Sequence, residues 1–180
     1  MLILLLIFSG LYLVPFQSYV VPLMQEDFGL SESISGICWG ILGVLGLGSG
    51  VLGGILADKF SAKKAMIITY SVSVLSVVLV ISLRNAAGVL MACGVFGLIY
   101  NAIFGLHPTY VSKTLPPEKT AKLFGLLNLS LGIGSMAGNY FGGYIKESTG
   151  SFIILYQLMG VVSVLAVGVC FVIKKDKLKE

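Results

Sequence analysis

One apolar stretch, residues 87–111, carries the polar side chains best suited to binding a small molecule. A helix through it places an amide, an imidazole and two aromatic rings on one broad face: Tyr100, Asn101, Phe104 and His107. If the stretch spans a membrane, such polar groups are costly unless they face protein or a water-filled cavity. The alternative for each residue alone is packing, or a hydrogen bond to a neighbouring backbone. As a set they favour a solute-binding cavity.

A second aromatic face lies in the first apolar stretch, residues 2–22. Its members are Tyr12, Phe16 and Tyr19, and Gln17 lies adjacent to them. Their spacing is again helical, and Pro15 can kink or open the backbone beside them. This face is therefore a second candidate for contact with a solute.

Other kinds of chemistry lack the residues they need. His107 is the single histidine, no serine lies in a nucleophile motif, and there is no phosphate-binding loop. Cys38, Cys93 and Cys170 have no metal-ligand spacing. The sequence thus predicts no enzyme, no metal site and no cofactor. No charged residue lies deep within an apolar stretch, so ion coupling would use His107, reside in a partner, or be absent, and a neutral, aromatic or amphipathic solute is favoured.

The elements that position these residues are six apolar runs. The chain is 57% hydrophobic and 11% charged, far from the composition of a soluble domain. Each run is long enough to cross a hydrocarbon core of about 30 Å. The predicted helices are 2–22, 34–57, 65–83, 87–111, 123–145 and 152–173. The expected fold is an all-α membrane protein, one six-helix domain over 1–180 with a tail at 174–180.

The connections between the helices differ sharply in charge. Ten of the twelve Lys and Arg residues fall in the second connection, the fourth connection and the C-terminal tail: Lys59, Lys63, Lys64, Lys113, Lys119, Lys122, Lys174, Lys175, Lys177 and Lys179. The opposite side holds Arg84 and Lys146 together with four carboxylates. The positive-inside rule then predicts a multi-pass inner- or plasma-membrane protein with both termini cytoplasmic. Because topology explains the net charge of +4, no nucleic-acid partner is expected.

The chain partly repeats itself at an offset of 89 residues, which divides it into units of about 1–86 and 87–173. Gly53-Gly54 aligns with Gly142-Gly143, and Asp58 with Glu147. Three helices per unit make the second copy run inverted through the membrane, as in a 3+3 inverted repeat. The alternative is a chance alignment of glycine-rich helices.

Glycines also form stripes at helical spacing. Gly46, Gly50 and Gly54 share a face of the second helix, and Gly134, Gly138 and Gly142 share a face of the fifth. Small residues at this spacing allow two helices to approach closely. We therefore expect the stripes to face protein, either within the bundle or on a second six-helix unit.

The second connection resembles a signature of the major facilitator superfamily. The segment Gly54-Ile-Leu-Ala-Asp58-Lys59-Phe-Ser61-Ala-Lys63-Lys64 is similar to the family pattern GxLADRxGRRR, with Ser61 in place of glycine and Ala62 in place of arginine. The fifth helix is similar to the family's GxxxGPxxGG pattern, with Asn139 in place of proline. The resemblance implies that Gly54, Asp58, Lys59, Lys63 and Lys64 form a conformational latch, in which the carboxylate meets the amides at the start of a neighbouring helix.

The resemblance also implies an architecture and a function. The chain would be half of a major facilitator fold, and the short basic tail and the absence of arginine from the fourth helix favour the carboxy-terminal half. The first and fourth helices of each half line the cavity in the family, which makes the two aromatic faces above the expected solute site. The implied function is secondary transport of a small solute by alternating access in a lipid bilayer, with a second six-helix half present covalently or as a homodimer. Two alternatives remain open: a stand-alone homodimeric channel or membrane scaffold, and a nonfunctional truncated remnant.

Overall fold

Six long α-helices make up the computed structural model, which describes residues 1–176. The helices are α1 (Leu2–Pro22), α2 (Glu32–Phe60), α3 (Ala62–Ser82), α4 (Ala86–Thr114), α5 (Pro117–Thr149) and α6 (Ile153–Val172). A short π-helical turn, Leu23–Asp27, continues α1. Lys177 and Lys179, two of the ten lysines behind the charge asymmetry, lie outside the described residues.

Local signals account for where the helices begin and end. Asn85 accepts a hydrogen bond of 2.9 Å from the backbone N–H of Gly88 and so caps α4. Gly150 ends α5 in the left-handed conformation, with φ of 73°. The largest departure from the predicted bounds is the start of α5, which lies at Pro117 rather than at residue 123. Proline suits the first position of a helix, and the polar turn that follows extends α5 beyond its apolar part.

Five of the six helices in the described chain are long and apolar enough to cross a membrane: α1, α2, α3, α4 and α6. Helix α5 is not among them by composition, because glycine, serine and asparagine residues lower the hydropathy even of its uncharged stretch, residues 123–145. Its length of 33 residues nevertheless exceeds the ~20 that a span requires. The all-α membrane fold predicted from the sequence is confirmed.

The helix contacts obey a two-fold pattern. Helix α1 packs on α5 and α6, α4 packs on α2 and α3, and α3 packs on α6. Exchanging the first three helices for the last three leaves this pattern unchanged. Each repeat therefore inserts its second helix against the first helix of the other repeat, and neither can form the core alone.

The core lies along α1, α3, α4 and α6, where large side chains are fully buried: Tyr12, Phe16, Tyr70, Phe96 and Tyr156. In contrast, α2 and α5 expose rows of large apolar side chains, including Leu47 and Val51 on α2 and Leu129 and Met136 on α5. Exposed apolar area of this kind is expected where a helix faces lipid or another protein surface.

Candidate functional site

An aromatic stack joins the first and fourth helices. The rings of Phe16 and Phe96 lie parallel with their centroids 3.9 Å apart, and Tyr156 meets Phe16 edge-on at 5.4 Å. The Tyr156 hydroxyl donates to the carbonyl of Phe16 at 2.8 Å. Phe96 was not among the predicted residues, although it lies one turn before Tyr100 on the same helix. The stack closes the space between α1 and α4, and Phe16 is fully buried in the core.

Tyr12 and His107 also lie in the packed core rather than on the wall of an open cavity. Tyr12 is fully buried and its hydroxyl pairs with Ser73 on α3 at 2.8 Å. His107 is 3% exposed, and its Nε2 lies 2.9 Å from the hydroxyl of Tyr70. Both side chains point towards α3 because that helix supplies the hydroxyl groups that satisfy them.

Asn101, Tyr100 and Phe104 lie on the less buried side of α4. The Asn101 side chain donates to the carbonyl of Gly46 at 2.7 Å, and the backbone N–H of Asn101 donates to Ser49 Oγ at 3.0 Å. Tyr100 and Phe104 are half-buried and touch edge-on at 5.0 Å. Asn101 thus binds a neighbouring backbone and also remains at the surface of the six-helix unit.

Tyr19 and Gln17, both on the first helix, have different surroundings. The Tyr19 hydroxyl donates to the carbonyl of Asn139 on α5 at 2.7 Å, and the Tyr19 ring lies against Gly142. Tyr19 is therefore an α1–α5 packing residue in this conformation. Gln17 instead lines an open groove.

Each three-helix repeat has an open groove between its first helix and its second helix. One, of about 330 Å³, lies between α1 and α2 and is lined by Gln17, Ser18, Gln25, Glu32, Ser35 and Trp39 among others. The other, of about 420 Å³, lies between α4 and α5 and is lined by Ser112, Leu115, Pro117, Thr120, Ala121 and Phe124. We name them the acidic-end groove and the lysine-end groove, after the charges at the two ends of the bundle. The repeat exchanges the helix pairs, so the grooves are equivalents at opposite ends.

Asp58 pairs with a lysine rather than with helix amides. Its Oδ1 lies 3.3 Å from Nζ of Lys113 at the end of α4, which also donates to the carbonyl of Ala57. The Asp58 side chain is 80% exposed, so solvent screens much of this pair. Of the other residues of the signature, Lys59 lies over the ring of Phe60, Lys64 is exposed, and Gly54 has open space beside it.

The amides at the start of α3 are occupied by Asp176, a residue that the sequence did not single out. Its carboxylate accepts from the backbone N–H groups of Ala62 at 2.8 Å and Lys63 at 3.1 Å. Burial by itself raises the pKa of Asp176, but the hydrogen bonds from these two amides and from Ser61 outweigh it and hold that pKa below its usual value. Asp176 therefore takes the position at a helix start that was expected for Asp58.

Lys63 makes the reverse contact. Its Nζ donates to the carbonyl of Phe171 at 2.7 Å and also to that of Ile173, the last carbonyls of α6. A cation at the C-terminus of one helix and an anion at the N-terminus of the next are both favoured by the helix dipole. Together, Asp176 and Lys63 fasten α3 to α6 at the lysine-rich end.

Ser61, which replaces the glycine of the family pattern, has a φ of 94° and is fully buried. It is the only non-glycine residue with positive φ in the described chain. Its hydroxyl accepts weakly from the N–H of Lys64, at 3.4 Å. This φ explains the glycine in the pattern, because residues with a Cβ rarely adopt it.

The glycine stripes differ in what they meet. Gly134, Gly138 and Gly142 all lie against α1, where a Cβ at Gly138 would be 2.7 Å from the carbonyl oxygen of Leu11. On α2, Gly46 lies near Asn101, but Gly50 has no heavy atom within 4 Å of a Cβ position. The α5 stripe therefore packs within the six-helix unit, whereas two of the three glycines of the α2 stripe, Gly50 and Gly54, face outwards.

The acidic end has its own cap. Asp27 accepts a 2.8 Å hydrogen bond from the N–H of Phe152 at the start of α6. Glu26 forms an ion pair of 2.7 Å with Lys146, whose ammonium also lies over the Phe152 ring. These contacts join the end of the first helix to the second repeat.

Two interlocked three-helix repeats with these features define a polytopic all-α membrane protein. The sequence profile of the Major Facilitator Superfamily matches residues 1–180. The chain belongs to the Major Facilitator Superfamily, as its second connection predicted.

The relatives are longer proteins. The chain is 30% identical over 159 residues to the uncharacterized MFS-type transporter YfiU of Bacillus subtilis (strain 168), covering 86% of this chain and 30% of that protein. It is 29% identical over 147 residues to the probable nitrate transporter NarT of Staphylococcus haemolyticus (strain JCSC1435), covering 79% of this chain and 37% of that protein. The chain thus spans about a third of the length of these relatives.

Solved structures share the fold. The POT family transporter PepTSo superposes with a TM-score of 0.83 at 11% identity, covering 99% of this chain and 38% of that chain. The nucleoside transporter NupG (D323A mutant) superposes with a TM-score of 0.78 at 18% identity, covering 98% and 45%. Six helices of this chain therefore correspond to a part of each larger transporter, as the half-fold prediction required.

Proposed function

We propose that the chain is one half of a secondary transporter that moves a small solute by alternating access. The observation that carries this proposal is the pair of repeat-related grooves at opposite ends of the bundle. A solute pathway needs an opening at each membrane surface, and two grooves related by an inverted repeat supply a matched pair. Membership of the Major Facilitator Superfamily supports the same function.

A second half would cover the uncovered faces of α2 and α5. It is either covalently attached or supplied by a second copy, in which case α2 of one copy meets α5 of the other. The open space beside Gly50 and Gly54 supports a close helix contact there, because glycine exposed to lipid only lowers helix propensity. The exposed apolar rows of α5 offer the complementary surface.

The solute site proposed for this half consists of Gln17 in the acidic-end groove with Tyr100, Asn101 and Phe104 on α4. These side chains are the predicted cavity residues that remain accessible. The residues that line the two grooves include Glu32 and no lysine or arginine. A neutral, aromatic or amphipathic solute is therefore favoured over an anion such as the nitrate in the name of one relative.

Asp58 and Lys113 are the proposed latch at the lysine-rich end, assisted by Lys59. The pair joins the end of α2 to the end of α4, which is one wall of the lysine-end groove, so a movement of α4 that opens the groove would stretch the pair. In this proposal both termini are cytoplasmic, in an inner or plasma membrane. The prediction is that Asp58→Asn inserts normally and alters the rate of solute uptake into vesicles. Normal uptake by a correctly folded variant would contradict the latch.

The test of alternating access is labelling of single cysteines from the two sides of sealed vesicles. With Cys38, Cys93 and Cys170 replaced, Gln25→Cys reports on the acidic-end groove and Thr120→Cys on the lysine-end groove. Val164→Cys on the apolar surface of α6 is the control. We expect a membrane-impermeant maleimide to reach each groove from one side only. A transported solute should raise labelling at one groove and lower it at the other.

If both grooves are labelled at the same time and a solute does not change that labelling, the result would instead indicate a channel. A chain that inserts but shows neither labelling changes nor uptake of any aromatic or neutral solute would indicate a nonfunctional remnant. Crosslinking between Gly50→Cys on one unit and Leu129→Cys on another would distinguish a homodimer from a covalently attached half.

A further inference from the structure

A groove between α3 and α6 has no role in the proposed solute pathway. It has a volume of about 400 Å³. Its walls are apolar and include Val74 and Val78 on α3 and Gly160, Val164 and Leu165 on α6. Neither α2 nor α5, the helices proposed to meet a second half, contributes to it. The hydrocarbon of the bilayer can therefore reach this groove whether or not a second half is present.

The groove is next to the place where α6 presents a glycine to α3. A Cβ added at Gly160 would lie 3.6 Å from Val77, so the two helices are in contact at this level. Val77 is fully buried beneath that contact. Further along α6, Val164 and Leu165 are both more than half exposed. The seam between the helices is thus an apolar depression whose length runs along α6, a shape that fits a hydrocarbon chain.

One polar side chain, Gln157, interrupts the apolar walls. It is exposed, and no residue in the described chain shares a hydrogen bond with its amide. It lies four residues after Ile153, the first residue of α6, which is about 6 Å of helix rise from the acidic end. A polar group at this depth is costly beside hydrocarbon unless it has a partner. The amide can donate to an ester carbonyl, the group that joins each acyl chain of a phospholipid to its glycerol.

A cation lies at the acidic end of the same seam. Arg84 lines a narrow crevice together with Ile81 of α3 and Ile153 of α6, so it lies between the ends of the two helices. Its Nε donates to the carbonyl of Ile81 at 3.2 Å, which uses one of the five donors of a guanidinium. Within residues 1–176 it forms no ion pair, whereas Lys146, the other cation at this end, pairs with Glu26. The Arg84 guanidinium is therefore available to an anion.

We propose that α3 and α6 form a binding site for one diacyl phospholipid. The Arg84 guanidinium binds the phosphodiester, the Gln157 amide donates to an ester carbonyl, and one acyl chain lies in the groove past Gly160. Arginine suits this role because its planar donors match two phosphate oxygens at once. A neighbouring helix would have to supply an anion and an amide partner at the same two levels, whereas every phospholipid carries both.

The headgroup contacts are tested by native mass spectrometry of the full-length protein in a neutral detergent with added dioleoyl phosphatidylglycerol. Arg84→Gln should weaken the binding of one lipid about tenfold, the usual effect of losing a charge-assisted hydrogen bond. Gln157→Leu should weaken it about threefold, because a neutral hydrogen bond contributes less. Lys146→Gln removes the same charge at the same end and is the matched control, which should bind as wild type does. Lipids bound at the lysine-rich end are unaffected by all three changes.

The acyl-chain contact is tested separately. Val164→Phe fills the groove and should weaken binding of the same lipid about tenfold, because the chain loses its apolar contact. Val172→Phe is the matched control, since Val172 is also exposed on α6 but does not line the groove. Dioleoylglycerol, which lacks the phosphate, should bind about tenfold more weakly than the phospholipid. Glycerophosphoglycerol, which has the phosphate and no acyl chains, should not displace the lipid.

A photoreactive benzoylphenylalanine in place of Val78 identifies the occupant of the groove in native membranes. We expect a crosslink to phospholipid. A crosslink to protein, or no crosslink to lipid, would overturn the proposal, and so would wild-type lipid binding by Arg84→Gln or by Val164→Phe. Circular dichroism checks that each variant keeps its helices. None of these readouts needs a transported solute, so failure of the lipid site leaves the proposed transport function untouched.

Discussion

The α1–α5 and α4–α2 contacts are equivalent in the repeat but achieve close packing with different residues. On α5, Gly134, Gly138 and Gly142 let the backbone of α1 lie directly against the helix. On α2, the position equivalent to Gly138 is Ser49, whose hydroxyl accepts from the backbone N–H of Asn101. The α1–α5 contact relies on backbone packing at three glycines and one hydrogen bond from Tyr19 near its end, whereas the α4–α2 contact has hydrogen bonds from Asn101 to Ser49 and Gly46 in its middle.

The comparison extends to the ends of the two glycine-rich helices. Ser61 follows α2 and Gly150 follows α5, at the same offset of 89 residues, and both have positive φ, of 94° and 73°. The next amides, of Lys63 and Phe152, are also equivalent, and each is capped by a carboxylate from a distant part of the chain. The repeat therefore preserves backbone geometry and the need for a cap, while the residues that meet those needs differ.

The largest expected effect comes from filling the α1–α5 contact. Gly138→Val should destabilise the protein by at least about 3 kcal/mol, because its Cβ would meet Leu11 and Pro15 at 2.7 Å and the helices must separate. Thermal unfolding in detergent measures the change. Gly132→Val, on the same helix with nothing within 4 Å of its Cβ, is the control and should cost less than about 1 kcal/mol. Equal losses for the two variants would show that close packing does not decide the α1–α5 contact.

Removing the two carboxylate caps should have the next-largest effects on stability, and the two effects should differ in size. Asp176→Asn keeps one acceptor oxygen, so it loses one hydrogen bond and the charge assistance of the other at a buried position and should cost about 2 kcal/mol. Asp27→Asn loses only the charge assistance of its single bond and should cost about 1 kcal/mol. Because the folded pKa of Asp176 is depressed, its contribution is fully present above the unfolded value of 3.8 and is lost as the pH falls through the lower folded pKa. Stability measured at about pH 7 and about pH 3 should therefore differ more for wild type than for Asp176→Asn.

Exchanging the residues that end α2 and α5 tests the equivalence of their backbones. Ser61→Gly should stabilise the protein by about 1 kcal/mol, since glycine removes the strain at φ of 94° while losing only a weak cap. Gly150→Ser should have the opposite sign and a similar size. Chemical denaturation of both variants provides the measurement, and a destabilising Ser61→Gly would mean that the serine side chain contributes more than the strain costs.

The outward glycines of α2 test whether another helix covers them. With no neighbour, Gly50→Ala should stabilise α2 by up to about 1 kcal/mol through helix propensity. If the proposed second half packs there, the same change should weaken assembly and lower solute uptake. Uptake combined with unfolding of the detergent-solubilised protein separates these results, and Gly46→Ala, which faces Asn101, serves as the matched control.

The smallest change is expected at the polar part of the α4–α2 contact. Ser49→Ala removes the hydrogen bond to the Asn101 backbone and should cost about 0.6 kcal/mol, a usual value for an interhelical bond in a membrane protein. Unfolding in the presence of a mild denaturing detergent can measure this loss. Ser18→Ala is the control, because Ser18 donates to a carbonyl of its own helix, that of Val14. A loss as large as that of Gly138→Val would remove the distinction between the two contacts.

Much of the candidate site was not accessible from sequence. Tyr12, Phe16 and His107 satisfy helical spacing as well as Tyr100 and Phe104 do, yet the first three lie in the core. Spacing places residues on a face of a helix but does not say which neighbour covers that face. Asp176 gave no signal at all, because a cap from a tail to a helix start 114 residues away in sequence depends on where α3 and α6 come together.

The sequence alone determined the number of helices, their approximate bounds, the charge difference between the two ends and the family, because hydrophobic length, charge and a local signature are properties of contiguous residues. Only the tertiary structure decided which glycines are covered, that Asp58 meets Lys113 while Asp176 takes the helix amides, and that His107 is sealed beside Tyr70. Those outcomes depend on which helices become neighbours. Two repeats with similar patterns can bury different faces once they interlock.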